Sequence, residues 1–440
     1  MGRNLRQALL DLERAGMLKR IHEEVDPYLE MAEIARQASD NGGPALLFEK
    51  VKGCRFQAAA NIFGTRERMQ FLFCDTLEST KTAIDFKANP ARFFAHITPA
   101  KLLRAAKAGL HSLPMRYGSI HDFEECTLAD LPQIVSWPED GGAFITLPLV
   151  ATRPCEKGGI LKTNLGMYRI QISGNDYAPD ECGLHYQINR DIAAHHQKAI
   201  EEGRPLKVSI FIGGPRAHPI AAVTPMPENL SELTLAGMLA GKRFRYFEHD
   251  GYLVSSDAEF CILGEMAPQL KPEGPFGDHV GYYSGRHDFP YLKVKKVLCK
   301  KNAIYPFTVV GRPPKEDSRF GEFIHEITRP MVPTSLPGVH AVHAVDEAGV
   351  HPLCLAIGSE RFRPFDSERE PMELLKTANA LLGFNQVSLS KYLLLAAKED
   401  NPSLDVNDVP AFFAHILERI NFARDLHLQT STTTDTLDYT

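Results

Sequence analysis

Between residues 143 and 310 the chain alternates short β-branched and aromatic runs with turn residues, and only two helical stretches interrupt them. The strands are expected at 143–152, 165–172, 206–212, 220–224, 243–246, 259–263, 292–299 and 305–310. The helices are expected at 187–202, stopped by Gly203, and 230–240, stopped by Gly241. So many strands with so few helices restrict this middle region to a barrel or a sandwich. At 440 residues with 44% hydrophobic content, the chain has apolar material for two or three cores.

The flanks read differently. Leu5, Leu9, Leu12 and Leu18 recur at helical spacing in a helix ending near 16–20, and a second short helix is expected over 27–37. Strands at 45–48 and 56–60 are split by Lys52-Gly53, and helices follow over 66–86 and 99–109. A Pro- and Asp-rich connection over 113–140 marks a boundary. After Gly311-Arg312-Pro313-Pro314 the pattern alternates again, with strands at 338–345, 352–357 and 392–397 and helices at 368–382 and 409–420. The expected domains are therefore 1–115, 116–312 and 313–440.

Charge and cysteine usage exclude several classes. A net charge of −6 with interspersed signs gives no basic stripe for nucleic acid. No apolar run of about 18 residues and no leader-like apolar start occur, so a cytoplasmic protein is expected, away from any membrane. The eight cysteines (54, 74, 126, 155, 182, 261, 299, 354) form no C-x-x-C pair, which points to reduced thiols. The glycine-rich phosphate loops, the H-E-x-x-H zinc motif and the G-x-S-x-G nucleophile elbow are all missing. His340 and His343 stand three apart on an expected strand and so face opposite ways, and His195 and His196 fall on a partly solvated helix face.

The chemistry-bearing stretch is Lys-Pro-Glu-Gly-Pro-Phe-Gly-Asp-His-Val-Gly-Tyr-Tyr over 271–283. It sets Glu273 and Asp278 five residues apart on a loop stiffened by Pro272 and Pro275 and turned by Gly274, Gly277 and Gly281. Such residues also make ordinary solvated turns. In a dry pocket, however, two neighbouring acids diverge in pKa, and one can hold a proton at neutral pH. Three further fragments bear on this loop. Asn164-Leu165-Gly166-Met167-Tyr168-Arg169 offers a permanent cation, and Ser390-Lys391-Tyr392 offers another before an apolar strand. Thr224 to Glu232 leads into a helix, with Asn229 and Glu232 at the spacing of a capping box.

These fragments together resemble the UbiD-like decarboxylases that use prenylated FMN. Carrying the resemblance are Gly42 to Phe48, Trp137-Pro138-Glu139-Asp140, Asn164 to Arg169, Leu230-Ser231-Glu232 with Ala236-Gly237, Pro272 to Tyr283, Gly311 to Pro314, and Ala423-Arg424-Asp425. The resemblance implies an α/β (α+β) chain of three domains, the central one a split β-barrel of the flavin-reductase type. It implies reversible non-oxidative decarboxylation of an aromatic, heteroaromatic or α,β-unsaturated acid, with carbon dioxide as the other product.

By resemblance Arg169, Glu273 and Asp278 are the catalytic residues, with Asp278 the proton donor and Glu273 paired to Arg169. Asp at 278 is one methylene shorter than the Glu of some members. No side chain here supplies an electron sink, so the cofactor must. The family holds the cofactor phosphate through Mn2+ or Mg2+ and K+, and Asn164 and Glu232 match two of its ligands. The third, a histidine in the family, corresponds to Asn189, so the metal shell is altered or a neighbour such as Gln187 substitutes. Thr146, Met226 and Lys391 correspond to cofactor contacts. A flavin prenyltransferase as cofactor supplier and a homodimer or homohexamer are also implied. The chain stops at 437–440 where many members continue into a helix that packs on a neighbouring subunit, which loosens the oligomer expectation. The competing readings are an accessory flavin-binding subunit of a larger (de)carboxylase and an enzyme working physiologically as a carboxylase.

Overall fold

In a computed structural model that describes residues 4–154, 159–186, 191–226, 230–349, 352–361 and 371–429, the leucine spacing at the start forms the helix Leu5–Arg14. Asn4 caps it by accepting from the Gln7 N–H, and Leu5, Ala8, Leu9 and Leu12 are buried along one face. Gly16, at φ 72°, turns the chain into the strand Leu18–Val25. That strand escapes a reading of the sequence because its Lys-Arg-Ile-His-Glu-Glu core is mostly solvent-facing. It pairs in parallel with Ala45–Val51, which runs antiparallel to Gln57–Ala60, and Ile304–Phe307 closes this four-stranded sheet.

The described residues pack as two units, Met1–Ala83 with Ile97–Ile324, and Ile84–His96 with His325–Thr440. The overall class is mixed α/β, as expected.

The first unit is organised by a nine-stranded sheet that curls as a half-barrel. Its order is Phe144–Ile145, Ile170–Gln171, Glu181–Leu184, His287–Cys299, Phe260–Glu273, Lys207–Ile212, Pro148–Thr152, Asn164–Gly166, with Glu124–Cys126 joining the edge of His287–Cys299. Val150, Val208, Ile210, Ile262, Leu292 and Val297 are among the apolar side chains of its core. The two longest strands, Phe260–Glu273 and His287–Cys299, pair from Phe260 opposite Cys299 to Glu273 opposite His287. Register shifts at Leu263/Gly264 and Met266/Leu270 bend this arm. Gly264 sits where a Cβ would come within 2.8 Å of the Lys293 carbonyl oxygen. The arm ends in the 274–286 segment, so the Pro/Gly stretch is the tip of a hairpin rather than a free loop.

Several expectations are corrected. Of the stretch 220–224, residues 220–223 end the helix Ala217–Val223 and Thr224 is its C-cap; Ala217, Ile220 and Ala221 are buried, and a short continuous apolar run does not distinguish the two states. The expected strand 165–172 is two pieces, Asn164–Gly166 and Ile170–Gln171, and 143–152 breaks likewise into Phe144–Ile145 and Pro148–Thr152. The expected helix over 66–86 is two, Arg66–Phe73 and Leu77–Ala88. The strand Glu181–Leu184 and the helix Glu316–Thr328 are additions. In the helix Asp191–Glu201, expected to begin at 187, the residues before Asp191 lie outside the described ones.

The second unit contains a three-stranded sheet, Val339–Ala344 antiparallel to Leu353–Gly358, which runs parallel to Tyr392–Ala397. Alternation along the middle strand sends Leu355 and Ile357 to one core with Phe412 and Val406, and Ala356 to another with Leu336 and Leu381. The helices Glu373–Leu382 and Val409–Leu417 supply Leu381 and Phe412. Among the described residues no helix is long and apolar enough to cross a membrane, and the seven described cysteines are free thiols.

Candidate active site

Arg169 emerges where the chain leaves Asn164–Gly166 and enters Ile170–Gln171. Its guanidinium meets Glu273 at the end of the long strand in a two-pronged pair, Nε to Oε1 at 2.7 Å and Nη2 to Oε2 at 2.8 Å. Nη1 reaches Asp278 Oδ2 at 3.1 Å, and Nη2 also donates to Ser284 Oγ at 3.0 Å. The Phe276 ring lies under the guanidinium, 4.5 Å from its carbon. The three residues named from the sequence are thus brought together, with Glu273 fully buried and Asp278 and Arg169 nearly so. This is not a solvated turn.

Burial pushes the Glu273 carboxyl upward. Hydrogen bonds from His185 and Arg169, with the Arg169 charge, outweigh it and hold the group at about 2. His185 Nδ1 lies 3.3 Å from Glu273 Oε2, and its ring stacks on Phe289 at 4.0 Å between centroids. On the other carboxylate, Asp278 Oδ1 accepts from the His279 backbone N–H at 2.7 Å and stands 2.6 Å from His279 Nδ1. The cluster can therefore orient an anionic group with one guanidinium and present two acids of different surroundings to it.

A second segment straps the hairpin tip. Asp140 accepts from the Gly277 N–H through Oδ1 at 2.8 Å, and from the Trp137 and Ser136 N–H groups through Oδ2 at 2.9 and 3.2 Å. Burial lifts its carboxyl to about 6 against these three donors. Gly277 lies against the Trp137 indole, where a Cβ would fall 2.1 Å from the ring, so only glycine allows this approach. Trp137 Nε1 is anchored to the Val310 carbonyl at 2.8 Å. Asn175 Nδ2 donates to the Pro272 and Gly274 carbonyls, and Gln171 Oε1 accepts from the Gly274 N–H.

Asn164 and Glu232 are both buried. Glu232 Oε2 accepts from the Leu165 N–H at 2.8 Å, and burial raises its carboxyl to about 7. The Asn164 side-chain amide nitrogen has no hydrogen-bond partner among the described residues. A buried carboxylate without a cation among the described residues, near a buried amide, is a donor set that suits a hard divalent ion. Asn189 and Gln187 lie outside the described residues, as does Asn229. The expected capping box is corrected: Ser231 is the N-cap, its Oγ accepting from the Leu233 N–H at 3.3 Å, and Glu232 is the first helical residue rather than the third.

Thr146 is buried, and its hydroxyl donates to the Thr308 carbonyl at 2.8 Å while accepting the Thr308 N–H at 3.0 Å. Met226 is half-buried beside the described end of its segment. Lys391 belongs to the second unit, exposed, with its backbone N–H bonded to the Pro352 carbonyl. His195 lies half-buried with Nδ1 2.9 Å from Thr152 Oγ1, the residue paired with Asn164, and His196 Nδ1 lies 2.6 Å from Tyr186 Oη. His340 Nε2 lies 2.7 Å from Ser359 Oγ. Among the described residues no cluster of three His, Cys, Asp or Glu could hold a metal.

His185, His279, Ser284 and Asp140 went unassigned from the sequence. His279 and Asp140 sit inside motifs quoted above, so their place in those motifs was the available signal. For His185, 88 residues from Glu273 along the chain, no local signal exists.

Three family models described as 3-octaprenyl-4-hydroxybenzoate carboxy-lyase match the chain: an N-terminal domain over residues 9–87, a Rift-related domain over 112–313 and a C-terminal domain over 318–440. An uncharacterised protein of Chlamydia trachomatis serovar D is 39% identical over 430 residues, covering 96% of this chain and 70% of the relative. A protein of Chlamydia pneumoniae, named as one of the subunits of a 4-hydroxybenzoate decarboxylase, is 37% identical over 421 residues, covering 94% and 69%. The vanillic acid decarboxylase of Sedimentibacter hydroxybenzoicus in its closed form has a similar fold, with a TM-score of 0.79 at 22% identity, covering 97% of this chain and 86% of that one. An evolved dimeric form of the UbiD-class enzyme HmfF from Pelotomaculum thermopropionicum, solved with prFMN, gives 0.71 at 23% identity, covering 99% and 93%.

Proposed function

The chain belongs to the UbiD family of carboxy-lyases, and from that premise we propose that it catalyses reversible, non-oxidative decarboxylation of an aromatic, heteroaromatic or α,β-unsaturated acid with prenylated FMN. The observation that carries this reading is the single guanidinium of Arg169 bridging a fully buried Glu273 and a nearly buried Asp278. In the reading, Arg169 orients the substrate carboxylate, Glu273 keeps the guanidinium in place as a permanent anion, and Asp278 delivers the proton to the carbon that loses carbon dioxide. Prenylated FMN, when bound, supplies the electron sink that no side chain here offers.

Asn164 and Glu232, with Asn189, would hold Mn2+ or Mg2+ and, with K+, the cofactor phosphate. The burial of both side chains and the lack of a cation beside Glu232 among the described residues support that assignment. Thr146, Met226 and Lys391 are the remaining proposed cofactor contacts. The domain division 1–115, 116–312 and 313–440, with a central split barrel of flavin-reductase type, is supported by the spans of the three family models and by a nine-stranded sheet confined to residues 124–299. The cofactor would come from a flavin prenyltransferase, and the protein would work in the cytoplasm as a homodimer or homohexamer. The name of the Chlamydia pneumoniae relative favours, as a second reading, a place within a multi-subunit decarboxylase.

The test is native mass and absorbance of protein co-expressed with a flavin prenyltransferase under low oxygen, beside protein made without it. The expected result is a bound mass of prenylated FMN that Glu232→Ala reduces. An empty or plain-FMN protein under both conditions overturns the reading.

A further inference from the structure

A cleft of about 400 Å3, partly open to solvent, lies where the ends of Pro148–Thr152 and Lys207–Ile212 meet the hairpin of Arg245–His249 and Tyr252–Ser255. Arg169, Glu273 and Asp278 are not among its lining residues, whereas three cations are: Arg153, Arg204 and Lys207. The register that pairs Val208 with Thr152 brings Lys207 and Arg153 to neighbouring strand ends, where like charges oppose each other at a cost.

The hairpin turn holds both cations. His249 pairs with Tyr252 across Asp250-Gly251, whose φ values of 50° and 78° suit a tight two-residue turn. The Gly251 carbonyl accepts from Arg153 Nη2 at 3.2 Å, and the Asp250 carbonyl from Lys207 Nζ at 3.0 Å. Arg153 Nη1 also meets Glu248 at 2.7 Å, but that carboxylate is shared with Arg116 at 2.6 Å. The Asp250 carboxylate is 80% exposed and stands 3.4 Å from His249 Nε2. Arg204 is anchored through Nε to Glu202 and through Nη2 to the Pro154 carbonyl, both at 2.6 Å. Positive charge is thus in excess, and each guanidinium has more N–H donors than these bonds use.

Two hydroxyls on the wall complete the donor set. Thr163 is 1% exposed and Tyr252 6%, and neither Thr163 Oγ1 nor Tyr252 Oη has a hydrogen-bond partner among the described residues. Burial of a hydroxyl without a partner is costly, and a bound acceptor removes that cost.

We propose that this cleft binds a small oxyanion of the phosphate class, neutralised by Arg153 and Arg204 and hydrogen-bonded by Tyr252 Oη and Thr163 Oγ1. A phosphate group presents acceptor oxygens in several directions, which matches donors converging from different elements. The Thr163 carbonyl accepts from Ser231 Oγ, the cap of the helix that begins at Glu232, so an anion here adjoins the backbone of both proposed metal ligands, Asn164 and Glu232. The inference stands apart from the decarboxylase reading, and neither needs the other.

Calorimetric titration of the full, cofactor-free chain at fixed ionic strength tests it, with inorganic phosphate as the probe and bicarbonate and 4-hydroxybenzoate as separate arms. Saturable phosphate binding is expected, weakened about 10-fold or more in each of Tyr252→Phe, Thr163→Val and Arg204→Gln, on the scale of hydrogen bonds to a charged group. Because the two hydroxyls bond nothing else among the described residues, Tyr252→Phe and Thr163→Val should melt no lower than wild type without anion, which separates lost binding from lost fold. No saturable phosphate binding would mean that the cleft holds water alone and would overturn the proposal. Phosphate binding that survives both hydroxyl substitutions would place the anion elsewhere and overturn it as well. Binding of bicarbonate or 4-hydroxybenzoate in preference to phosphate would overturn the phosphate assignment.

Discussion

Glu273 is fully buried and still held as an anion, because His185 and a two-pronged Arg169 offset the cost of its burial. Removing the carboxylate strands the guanidinium in a poorly solvated place. Glu273→Ala should lower stability by roughly 3–5 kcal/mol, measured by urea unfolding, and a loss under about 1 kcal/mol would contradict the pairing. The pH dependence follows from the direction of the shift. A native pKa near 2, below the ordinary 4.5, means the unfolded chain binds more protons between those values. The Glu273 contribution is complete above about 4.5 and drains away as pH falls toward 2. Glu273→Gln should flatten that acid limb of the stability profile, and an unchanged slope would contradict the assignment. At this scale the sequence showed much: Arg169, Glu273 and Asp278 were legible as residue types in quoted motifs. His185 was not, because only the pairing of Glu181–Leu184 with the long arm brings it to Glu273.

The element that sets the geometry is the hairpin tip at the end of Phe260–Glu273 and His287–Cys299, strapped by residues 136–141. Asp140→Ala would leave three backbone N–H groups without their acceptor. At 1–3 kcal/mol for each buried orphan, tempered by entering water, a loss of roughly 3 kcal/mol is expected in thermal unfolding. The Asp140 pH sign is opposite to that of Glu273. Its native pKa is raised to about 6, so the folded state binds the extra proton between the ordinary 3.8 and 6. Its stabilisation is greatest below 3.8 and lost as pH rises through 6, a limb that Asp140→Asn should remove. Gly277→Ala drives a methyl into Trp137 and should displace Asp278, read as lost activity with an altered Trp137 emission, Trp137 being the one tryptophan. Strand content in this region was legible from alternation, but strand length was not: Lys271-Pro272-Glu273 reads as a turn because prolines suggest one, yet it continues a strand paired on one side. The helix Ala217–Val223 was misread for the opposite reason, since burial on all sides erased its period.

At the scale of the molecule, consecutive family models cover residues 9–87, 112–313 and 318–440, and the chain brings Glu273, Arg169 and Asp278 together in one buried place. Class and family were legible because many ordered motifs agree. The packing into two units was not, since the four-stranded sheet takes Ile304–Phe307 from far along the chain to complete strands before residue 61. Cofactor binding should stabilise the folded chain by mass action, about 2.7 kcal/mol at a free cofactor concentration 100 times Kd. Protein from co-expression should therefore melt above cofactor-free protein, and equal melting temperatures would contradict cofactor binding. Proton delivery by Asp278, the proposed donor, is tested most directly by carbon dioxide release. Wild type and Asp278→Asn, both co-expressed with the prenyltransferase, would be compared on hydroxybenzoates, furan and pyrrole carboxylates, polycyclic aromatic acids and cinnamate-like acids. Release by wild type is expected from at least one class, with a fall of at least about 100-fold in Asp278→Asn and bound cofactor unchanged. Equal release by the two proteins would contradict it.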